Sequence, residues 1–499
     1  MSLLIENLKS ARLSGVPLIA VTTQDQPATL ELITDPKSGV NSCPQVAWDC
    51  INGLRPINDE GRQALISLGD AARDGARLVL ALKACLGLPP KTMTFLYNGH
   101  AQLNDPAVVQ AVQNLREAYK ENKRTLLILG PSFDDMRREL QSDVIVLDEP
   151  LPTDEQLSTR ISELHEDAGK KLDKAKLPQM IDAVRGLPSL FTVEQVVALS
   201  FRPHGLDMPA LWDRKAAAIN ATKGLAISRG VMKYADLAGM DVVMDFLRGI
   251  ANGKRPFKLV LHLDEVEKML AGSSGDQTDS SGVSSDYLGV CLKRMENLRW
   301  LGAMLYGVPG AGKTALSDAT AGEFDVPRLE MDFGAMKGRY VGDSEDAIRT
   351  AFDTAEGIGG RDVLVIGTCN RMKSLPPEFR RRFSLGQWYF DIPTLEEQIP
   401  IKKIYERKCE LTTAHGDWPD TSGWTGAEIR NCAELAVLRG STLKDSAAFI
   451  VPVAHADPES VEDMRKLADG RFLSVAYPGR WQRERPQTAQ GKTRRQIGA

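Results

Sequence analysis

One short stretch constrains this chain more than any other, Gly307-Val-Pro-Gly-Ala-Gly-Lys-Thr314. An apolar run, Ala303–Tyr306, precedes it and a helix-like run, Ala315–Glu323, follows it. The pattern GxxxxGK[ST] between a strand and a helix is typical of a P-loop, whose glycines let backbone N–H groups wrap around phosphate oxygens. The stretch therefore predicts an α/β unit with a nucleotide-phosphate site.

The chemistry of the loop assigns its side chains. Lys313 is expected to neutralise the β- and γ-phosphate oxygens, and Thr314 to offer its hydroxyl to Mg²⁺. We therefore expect ATP and Mg²⁺ as cofactors. The predicted nucleotide-binding residues are Gly307, Pro309, Gly310, Ala311, Gly312, Lys313, Thr314 and Ala315.

Hydrolysis also needs carboxylates beside the phosphates, usually on a strand that follows the P-loop. Here the helix-like residues after the loop lead directly into the apolar run Val363–Asn370, and no segment ending in Asp-Glu intervenes. Upstream, the apolar run Leu259–Leu263 ends in Asp264 and Glu265. We interpret Asp264 as the Mg²⁺ carboxylate and Glu265 as the base that orients water. The alternative is that both acids only favour the first turn of a helix, where they suit its dipole.

The chain has 499 residues, enough for two to four domains. Strand candidates alternate with helical segments up to about residue 150, which predicts a parallel sheet covered on both faces. The strand candidates are Pro17–Thr22, Thr92–Tyr97, Arg124–Leu129 and Asp143–Leu147. The expected domains are an α/β domain (1–152), a wholly helical region with a hinge (153–230), an α/β core (231–393), a helical lid (394–470) and a basic tail (471–499).

Composition excludes several classes of protein. Hydrophobic residues make up 42% and charged residues 26%, as in a globular protein. The net charge of −4 provides no overall positive field that would indicate nucleic-acid binding. The seven cysteines form no CxxC pair, which argues against a disulfide scaffold or a zinc ribbon. The N-terminus is too charged for a signal peptide, and no apolar run approaches the ~18 residues that cross a bilayer. We expect a cytoplasmic protein that does not contact membranes.

Several motifs in order resemble the AAA+ ATPases over about residues 230–470. Thr368–Asn370 resembles sensor 1, and Gly423–Ile429 resembles the start of the lid's nucleotide-facing helix. Lys337–Glu345 is similar to the pore loop that grips substrate, which implies Tyr340 and Val341 as substrate contacts. Leu375–Phe383 is similar to the arginine-finger segment, which implies Arg380, Arg381 or Arg382 as the finger. Asn370, Arg381 and Arg382 are the expected catalytic residues beside Glu265.

The chain departs from the common family pattern in two places. The acid-bearing Walker B run precedes the Walker A loop, so the core resembles a permuted one, similar to ATPases of tailed bacteriophages. Such a protein would work in the host cytoplasm. Glu428 stands after Gly426-Ala427, where some branches have the sensor 2 arginine, so the resemblance assigns no such role to Arg430.

A permuted order of the strands in the chain requires only short connections in this fold. Family sheets place the Walker A, sensor 1 and Walker B strands side by side in that order, so the outer two lie only about 10 Å apart. The connection Ala251–Lys258 can stretch roughly 26 Å. The carboxyl ends of the strands still meet at one edge of the sheet, where ligands bind.

The N-terminal half resembles, more weakly, the ATPase-like half that precedes the motor in plastid and cyanobacterial AAA proteins. The turn after its first strand, Thr23–Pro27, has neither glycine nor lysine. Asp148 and Glu149 also end an apolar run, but no P-loop lies in that half. We expect a degenerate α/β domain that binds no nucleotide.

The resemblance implies an ATP-hydrolysing motor that remodels or threads a macromolecule, most readily a protein, through a homo-oligomeric, hexameric ring. Two other readings remain, a nucleic-acid motor or loader and an ATP-dependent scaffold without turnover. Single residues have plainer alternatives too. In these alternatives, Tyr340 would anchor a hydrophobic core and the three arginines would form a solvated turn. Gly272–Asp286 would be either a flexible linker or a regulated loop between subunits. The basic tail is a solvated segment or touches an acidic partner.

Overall fold

The computed structural model describes residues 3–40, 43–69, 77–133, 136–268, 283–336, 341–371 and 380–484. Contacts divide the chain into two compact units, Met1–Lys215 and Ala216–Ala499. The described helices are α1 Leu3–Leu13, α2 Gln26–Thr34, α3 Asp59–Leu68, α4 Leu78–Cys85, α5 Pro106–Glu121, α6 Arg138–Gln141, α7 Asp154–Asp167, α8 Leu177–Val184, α9 Leu190–Ala198, α10 Met208–Asn220, α11 Asp241–Ala251, α12 Val283–Leu298, α13 Lys313–Glu323, α14 Phe333–Met336, α15 Val341–Gly359, α16 Leu395–Lys408, α17 Gly426–Arg439, α18 Leu443–Ala447, α19 Val453–Ala456 and α20 Pro458–Ala468.

The described strands belong to two large sheets and one small hairpin. They are β1 Leu18–Thr22, β2 Gln45–Asp49, β3 Gly53–Pro56, β4 Met93–Leu96, β5 Thr125–Gly130, β6 Ile145–Asp148, β7 Phe201–Arg202, β8 Gly205–Leu206, β9 Leu225–Arg229, β10 Leu259–Asp264, β11 Leu301–Gly307, β12 Pro327–Asp332, β13 Val363–Cys369, β14 Gln387–Phe390 and β15 Leu473–Ser474.

The sheet of the first unit has the order β3-β2-β4-β5-β1-β6 within the described residues. Alternate residues of β1 enter two apolar clusters, with Leu18 and Ala20 in one and Ile19 and Val21 in the other. Both faces of this sheet are therefore covered, as the continuous apolar runs predict. The sheet is mixed rather than purely parallel, because β3 pairs antiparallel with β2 at one edge.

The sheet of the second unit has the order β15-β14-β11-β13-β10-β12-β9 within the described residues. Its central strands are parallel, and β13 lies between β11, which leads into the P-loop, and β10, which ends in Asp264. The carboxyl ends of β10, β11 and β13 therefore meet at one edge, two strand spacings across, or about 10 Å.

Two elements correct the sequence-based expectation. Residues 153–230 are not wholly helical, since they contain the hairpin β7–β8 and the strand β9, which pairs antiparallel with β12. Residues 471–484 are not an irregular tail, since β15 pairs with β14 and Trp481 is buried. Trp481 packs edge-on against Tyr389, with ring centroids 4.8 Å apart. Residues 485–499, the rest of the expected tail, lie outside the described residues.

The two sheets share one arrangement. In the first unit the order from β6 is β6-β1-β5-β4-β2-β3, and in the second the order from β14 is β14-β11-β13-β10-β12-β9. The strand at the far edge is antiparallel in both. The connectivity differs, because β3 and β4 follow β1 and β2, whereas their counterparts β9 and β10 precede β11 and β12.

The helices of residues 395–468 carry an apolar cluster of their own, built from α16, α17 and α18 around Trp424. Helix α16 begins with a capping box, in which Thr394 and Glu397 exchange hydrogen bonds, and α17 begins with the same Thr-x-x-Glu spacing. Glu428 caps the start of α17, since its Oε2 accepts a hydrogen bond from the Thr425 N–H at 2.6 Å. None of the described helices is both long and apolar enough to cross a membrane.

Candidate nucleotide-binding site

The P-loop joins β11 to α13. Gly307 has φ +154°, and a Cβ there would lie 2.0 Å from the Phe390 carbonyl oxygen, so β11 and β14 approach too closely for any side chain. Gly312, with φ +94°, turns the chain into α13 in a region that favours glycine. The loop glycines therefore satisfy steric demands of this backbone.

Lys313 lies within the loop and is nearly buried, with 7% of its surface exposed. Its ammonium donates to the carbonyl oxygens of Gly307 at 2.8 Å and Val308 at 2.9 Å. Burial lowers the pKa of Lys313 to about 8, while nearby acids, including Glu265 and Asp264, oppose that shift. The lysine is thus a desolvated cation at the mouth of a helix N-terminus, where an anion would be strongly attracted.

Asp264 ends β10 and is held by two side chains. Its Oδ1 accepts from the Thr368 hydroxyl at 3.0 Å and lies 3.3 Å from His262 Nε2. The hydrogen bond from His262 lowers the pKa of Asp264, whereas burial lowers the pKa of His262 itself. Asp264 is therefore an ionised carboxylate, and its hydrogen bonds to described residues leave Oδ2 for another ligand.

Glu265 follows in a left-handed backbone conformation, φ +45°, which is uncommon for a residue with a side chain. Its N–H donates to Thr368 Oγ1 at 2.9 Å, and its Oε1 accepts from Asn370 Nδ2 at 3.0 Å. Its other oxygen contacts the Lys268 ammonium. Strain of this kind is often found at functional sites, and here the two bonds to β13 and its following residue hold it.

Asn370 contacts the acidic residues that follow β10 through both its backbone and its side chain. Its N–H donates to Glu267 Oε1 at 2.9 Å, while its amide contacts Glu265. Thr368, two residues earlier, bridges Asp264 and Glu265 through one hydroxyl. The end of β13 therefore fixes the acids of β10, a role of Thr368 that the sequence did not reveal.

These groups surround one cavity of about 940 Å³. Its floor carries Asp264, Glu265, Thr368, Asn370 and the loop residues Pro309, Gly310, Ala311, Gly312, Lys313, Thr314 and Ala315. Gly307 contributes its carbonyl to Lys313 rather than to the wall. The other walls come from residues 236–240, from the first turn of α17 with Arg430, and from residues 474–477 and 481–483.

The remaining predicted residues lie elsewhere. Arg381 is exposed, and Arg382 forms an ion pair with Glu296 at 2.9 Å. Neither arginine lines the cavity. Tyr340 lies outside the described residues, and Val341 is the first residue of α15.

The sequence alone did not predict the part of the cavity wall that Asp391, Arg465 and Trp481 form. Asp391, which follows β14, pairs with Arg465 of α20, and both line the cavity together with Trp481. The only signal in the sequence was that the apolar run Gln387–Phe390 ends in an aspartate at the same sheet edge as the other acids.

The donor set fits a hard divalent cation shared with a nucleotide. The described residues contain no group of three or more His, Cys, Asp or Glu side chains that would hold a metal ion unaided. Mg²⁺ usually binds through one or two protein oxygens plus substrate phosphates and water. Asp264, ionised and with a free oxygen, and Thr314 line the same cavity and suit that mode.

Comparisons with known proteins relate the chain to the AAA ATPases. A family model described as the SpoVK-like AAA ATPase N-terminal domain matches residues 4–149, and the model of the ATPase family associated with various cellular activities matches residues 303–359. The AAA domain-containing protein ycf46 of Guillardia theta, itself uncharacterised, is 20% identical over 95% of this chain and 96% of its own length.

Two further similarities are shorter or weaker. A probable 26S proteasome regulatory subunit 10B of Caenorhabditis elegans is 24% identical over 35% of this chain and 53% of its own length. The crystal structure of the FIGL-1 AAA domain covers 50% of this chain and 93% of its own, with 15% identity and a TM-score of 0.32, too low to support an argument. The family models make residues 4–149 and 303–359 similar to AAA ATPases, and with the ycf46 similarity and the P-loop as described they indicate an ATPase, which hydrolyses ATP to ADP and phosphate.

Proposed function

We propose that this ATPase is a motor that remodels or threads a protein substrate through a homo-oligomeric ring. The observation that carries the proposal is the convergence of the P-loop, Asp264, Glu265 and Asn370 on one cavity. A protein that only bound ATP would not need a glutamate held in a strained backbone conformation beside the phosphate loop, with one hydrogen bond from its backbone N–H and one to its carboxylate.

Each residue of the cavity floor has a role in this proposal. The P-loop amides and Lys313 bind the phosphates, and Thr314 and Asp264 hold Mg²⁺, which neutralises charge on the phosphate oxygens. Glu265 accepts a proton from the attacking water as it orients it. Asn370, already bonded to Glu265 at 3.0 Å, fixes the carboxylate's direction.

The permuted core remains part of the proposal. Its support is the shared arrangement of the two sheets, in which β9 and β10 occupy the places of β3 and β4 yet precede the P-loop strand. Moving a strand block in the chain leaves the carboxyl edge of the sheet unchanged, so the site can survive. The likeness to tailed-phage ATPases, and hence work in a host cytoplasm, belongs to the same proposal.

The support for a ring comes from Arg381 and Arg382. In the proposal, Arg381 or Arg382 reaches the nucleotide of a neighbouring subunit, because neither lines the cavity of its own subunit. Closed symmetric assemblies bring each subunit's finger to its neighbour, and six subunits are the expected number. The helices of residues 394–470 then act as the lid that transmits hydrolysis to the pore residues Tyr340 and Val341.

A protein is the favoured substrate. One matched relative is named as a proteasome regulatory subunit, and the net charge of −4 supplies no general attraction for nucleic acid.

In the first unit, the place of a P-loop is taken by Thr23–Gln26, where the side chain of Gln26 is already used by Asn98 in two hydrogen bonds, at 2.8 and 2.9 Å. We propose that this domain, residues 1–152, binds no nucleotide.

Threading is tested with Tyr340→Ala. We expect ATP-dependent unfolding of a fluorescent reporter protein to be lost while basal ATP turnover stays within about two-fold, because the proposal gives Tyr340 a role in gripping substrate and none in binding or hydrolysing the nucleotide. Loss of reporter fluorescence and phosphate release are measured on the same preparation, with Tyr97→Phe, a tyrosine that does not line the nucleotide cavity, as the control. Undiminished unfolding by Tyr340→Ala, or activity stimulated by nucleic acid instead of protein, would contradict the proposal.

A further inference from the structure

One wall of the nucleotide cavity carries an ion pair that has no part in the roles above. Asp391 comes directly after β14, and Arg465 projects from α20. Arg465 Nε donates to both carboxylate oxygens of Asp391, at 3.0 and 3.2 Å. Both residues line the cavity.

The pair lies close to the phosphate loop. The N–H of Val308, the second residue of the P-loop, donates to the carbonyl of Phe390 at 3.1 Å, and Gly307 is paired with Phe390 across the strands. Asp391 follows Phe390 in the chain, so its backbone begins about one strand spacing, ~4.8 Å, from the start of the loop. Arg465, held by Asp391, therefore lies on the wall of the cavity that Lys313 also lines.

Arg465 differs from the other arginines of the wall in how its donors are used. Arg483 is engaged through a terminal nitrogen by Glu462, at 2.7 Å, and Arg430 contacts Asn431 through both Nε and a terminal nitrogen. The hydrogen bonds that Arg465 makes to described residues come from Nε alone. Its two terminal amino groups therefore remain as planar donors on the cavity wall, in the geometry that matches phosphate oxygens.

The balance of charges that line the cavity favours a phosphate contact for the terminal amino groups of Arg465. Six carboxylates but only four cations line the cavity, so the carboxylates disfavour a polyanionic nucleotide, and hydrogen-bond donors that a cation still has to offer, such as the terminal amino groups of Arg465, offset part of that repulsion. The cavity's acids are Asp236, Asp264, Glu265, Asp391, Glu397 and Glu462, and its cations are Lys313, Arg430, Arg465 and Arg483. Burial raises the pKa of Asp391, and the charge of Arg465 opposes that shift. A partly buried ion pair is costly unless its remaining donors find acceptors, and a bound phosphate would supply them.

We propose that Arg465 is a second cation of the nucleotide site, provided by the same subunit, which donates to phosphate oxygens of the bound nucleotide while Asp391 orients its guanidinium. The proposal rests on the nucleotide site described above and adds a ligand contact from the C-terminal helix α20. It links that helix to the presence of nucleotide, since the arginine bridges strand β14 and the phosphates.

The test compares dissociation constants for ADP, measured by calorimetry on the full chain. Arg465→Gln should weaken ADP binding by roughly ten- to a hundred-fold, the range expected for one lost charge-assisted hydrogen-bonding group. Arg465→Lys keeps the positive charge and should recover part of that loss. The matched control is Arg294→Gln, because Arg294 is exposed to the same degree (31% against 32%) and ion-paired, but it lies outside the cavity.

Asp391→Asn separates orientation from contact. It should weaken binding less than Arg465→Gln, and the double variant should bind no worse than Arg465→Gln alone, because both changes remove one interaction. A purely structural pair predicts the opposite, a lower unfolding temperature for Arg465→Gln with an unchanged dissociation constant. That result, or an Arg465→Lys variant no better than Arg465→Gln, would overturn the proposal. Because Lys313→Ala reports on the site itself, its loss of binding would stand even if Arg465 proved silent.

Discussion

Glu265→Gln is expected to bind ATP normally and to hydrolyse it about 10²- to 10⁴-fold more slowly than the unchanged protein. The substitution keeps the shape of the side chain and its place beside Asn370, but an amide cannot accept the proton of the attacking water. The P-loop and Asp264 are untouched, so binding should persist and ATP-bound rings should accumulate. Phosphate release, nucleotide binding and sedimentation of the ATP-bound protein measure the three consequences separately.

Glu356→Gln is the matched control for this experiment. Glu356 also forms an ion pair, with Arg294 at 3.0 Å, but it does not line the cavity, so turnover should stay near that of the unchanged protein. Near-normal turnover by Glu265→Gln would mean that another group activates water. An assembled protein with no turnover before any substitution would instead favour a scaffold.

Lys313→Ala should abolish measurable ATP binding, with affinity reduced at least ~100-fold, because several charge-assisted hydrogen bonds to the phosphates are lost together. The desolvated ammonium also becomes fully effective only when phosphate replaces its present carbonyl partners. ATP-dependent assembly should disappear with it.

Lys258→Ala controls for the loss of one positive charge in the same unit. Its side chain is 62% exposed and its ammonium pairs with Asp362, which does not line the cavity. Fluorescent-nucleotide titration of both variants gives the comparison. An ATP affinity of Lys313→Ala equal to that of Lys258→Ala would remove the P-loop from the site.

Much of the sheet architecture follows from local sequence. Fully buried parallel strands are continuous apolar runs, so β1, β4 and β5 of the first unit could be predicted within a residue or two. The edge strand β6 also overlaps the predicted run Asp143–Leu147, but the two antiparallel edge strands, β3 and β9, could not be predicted. β3 is short and mostly exposed, and β9 has only two buried residues between turn-like glycines, so each becomes a strand only through its partner across the sheet.

The same distinction applies to the site. The P-loop and the acids of β10 carry their chemistry in their own sequence, and parallel strands bring them to one edge. The contacts of Thr368, Asp391 and Arg465 could not be predicted in that way, although Thr368 lies within the stretch that resembles sensor 1. They contribute because β13 lies beside β10 and because α20 packs next to β14, approaches that depend on tertiary structure.

The most direct measurement is a crystal structure of Glu265→Gln with Mn²⁺ and ATP, using anomalous scattering to place the metal. Mn²⁺ prefers the same oxygen ligands as Mg²⁺. Our account predicts one anomalous peak at the phosphates, bound by Thr314 and by Asp264 directly or through one water, with residue 265 facing the γ-phosphate. A metal bound by Thr314 while Asp264 lies several ångströms beyond a bridging water would contradict it.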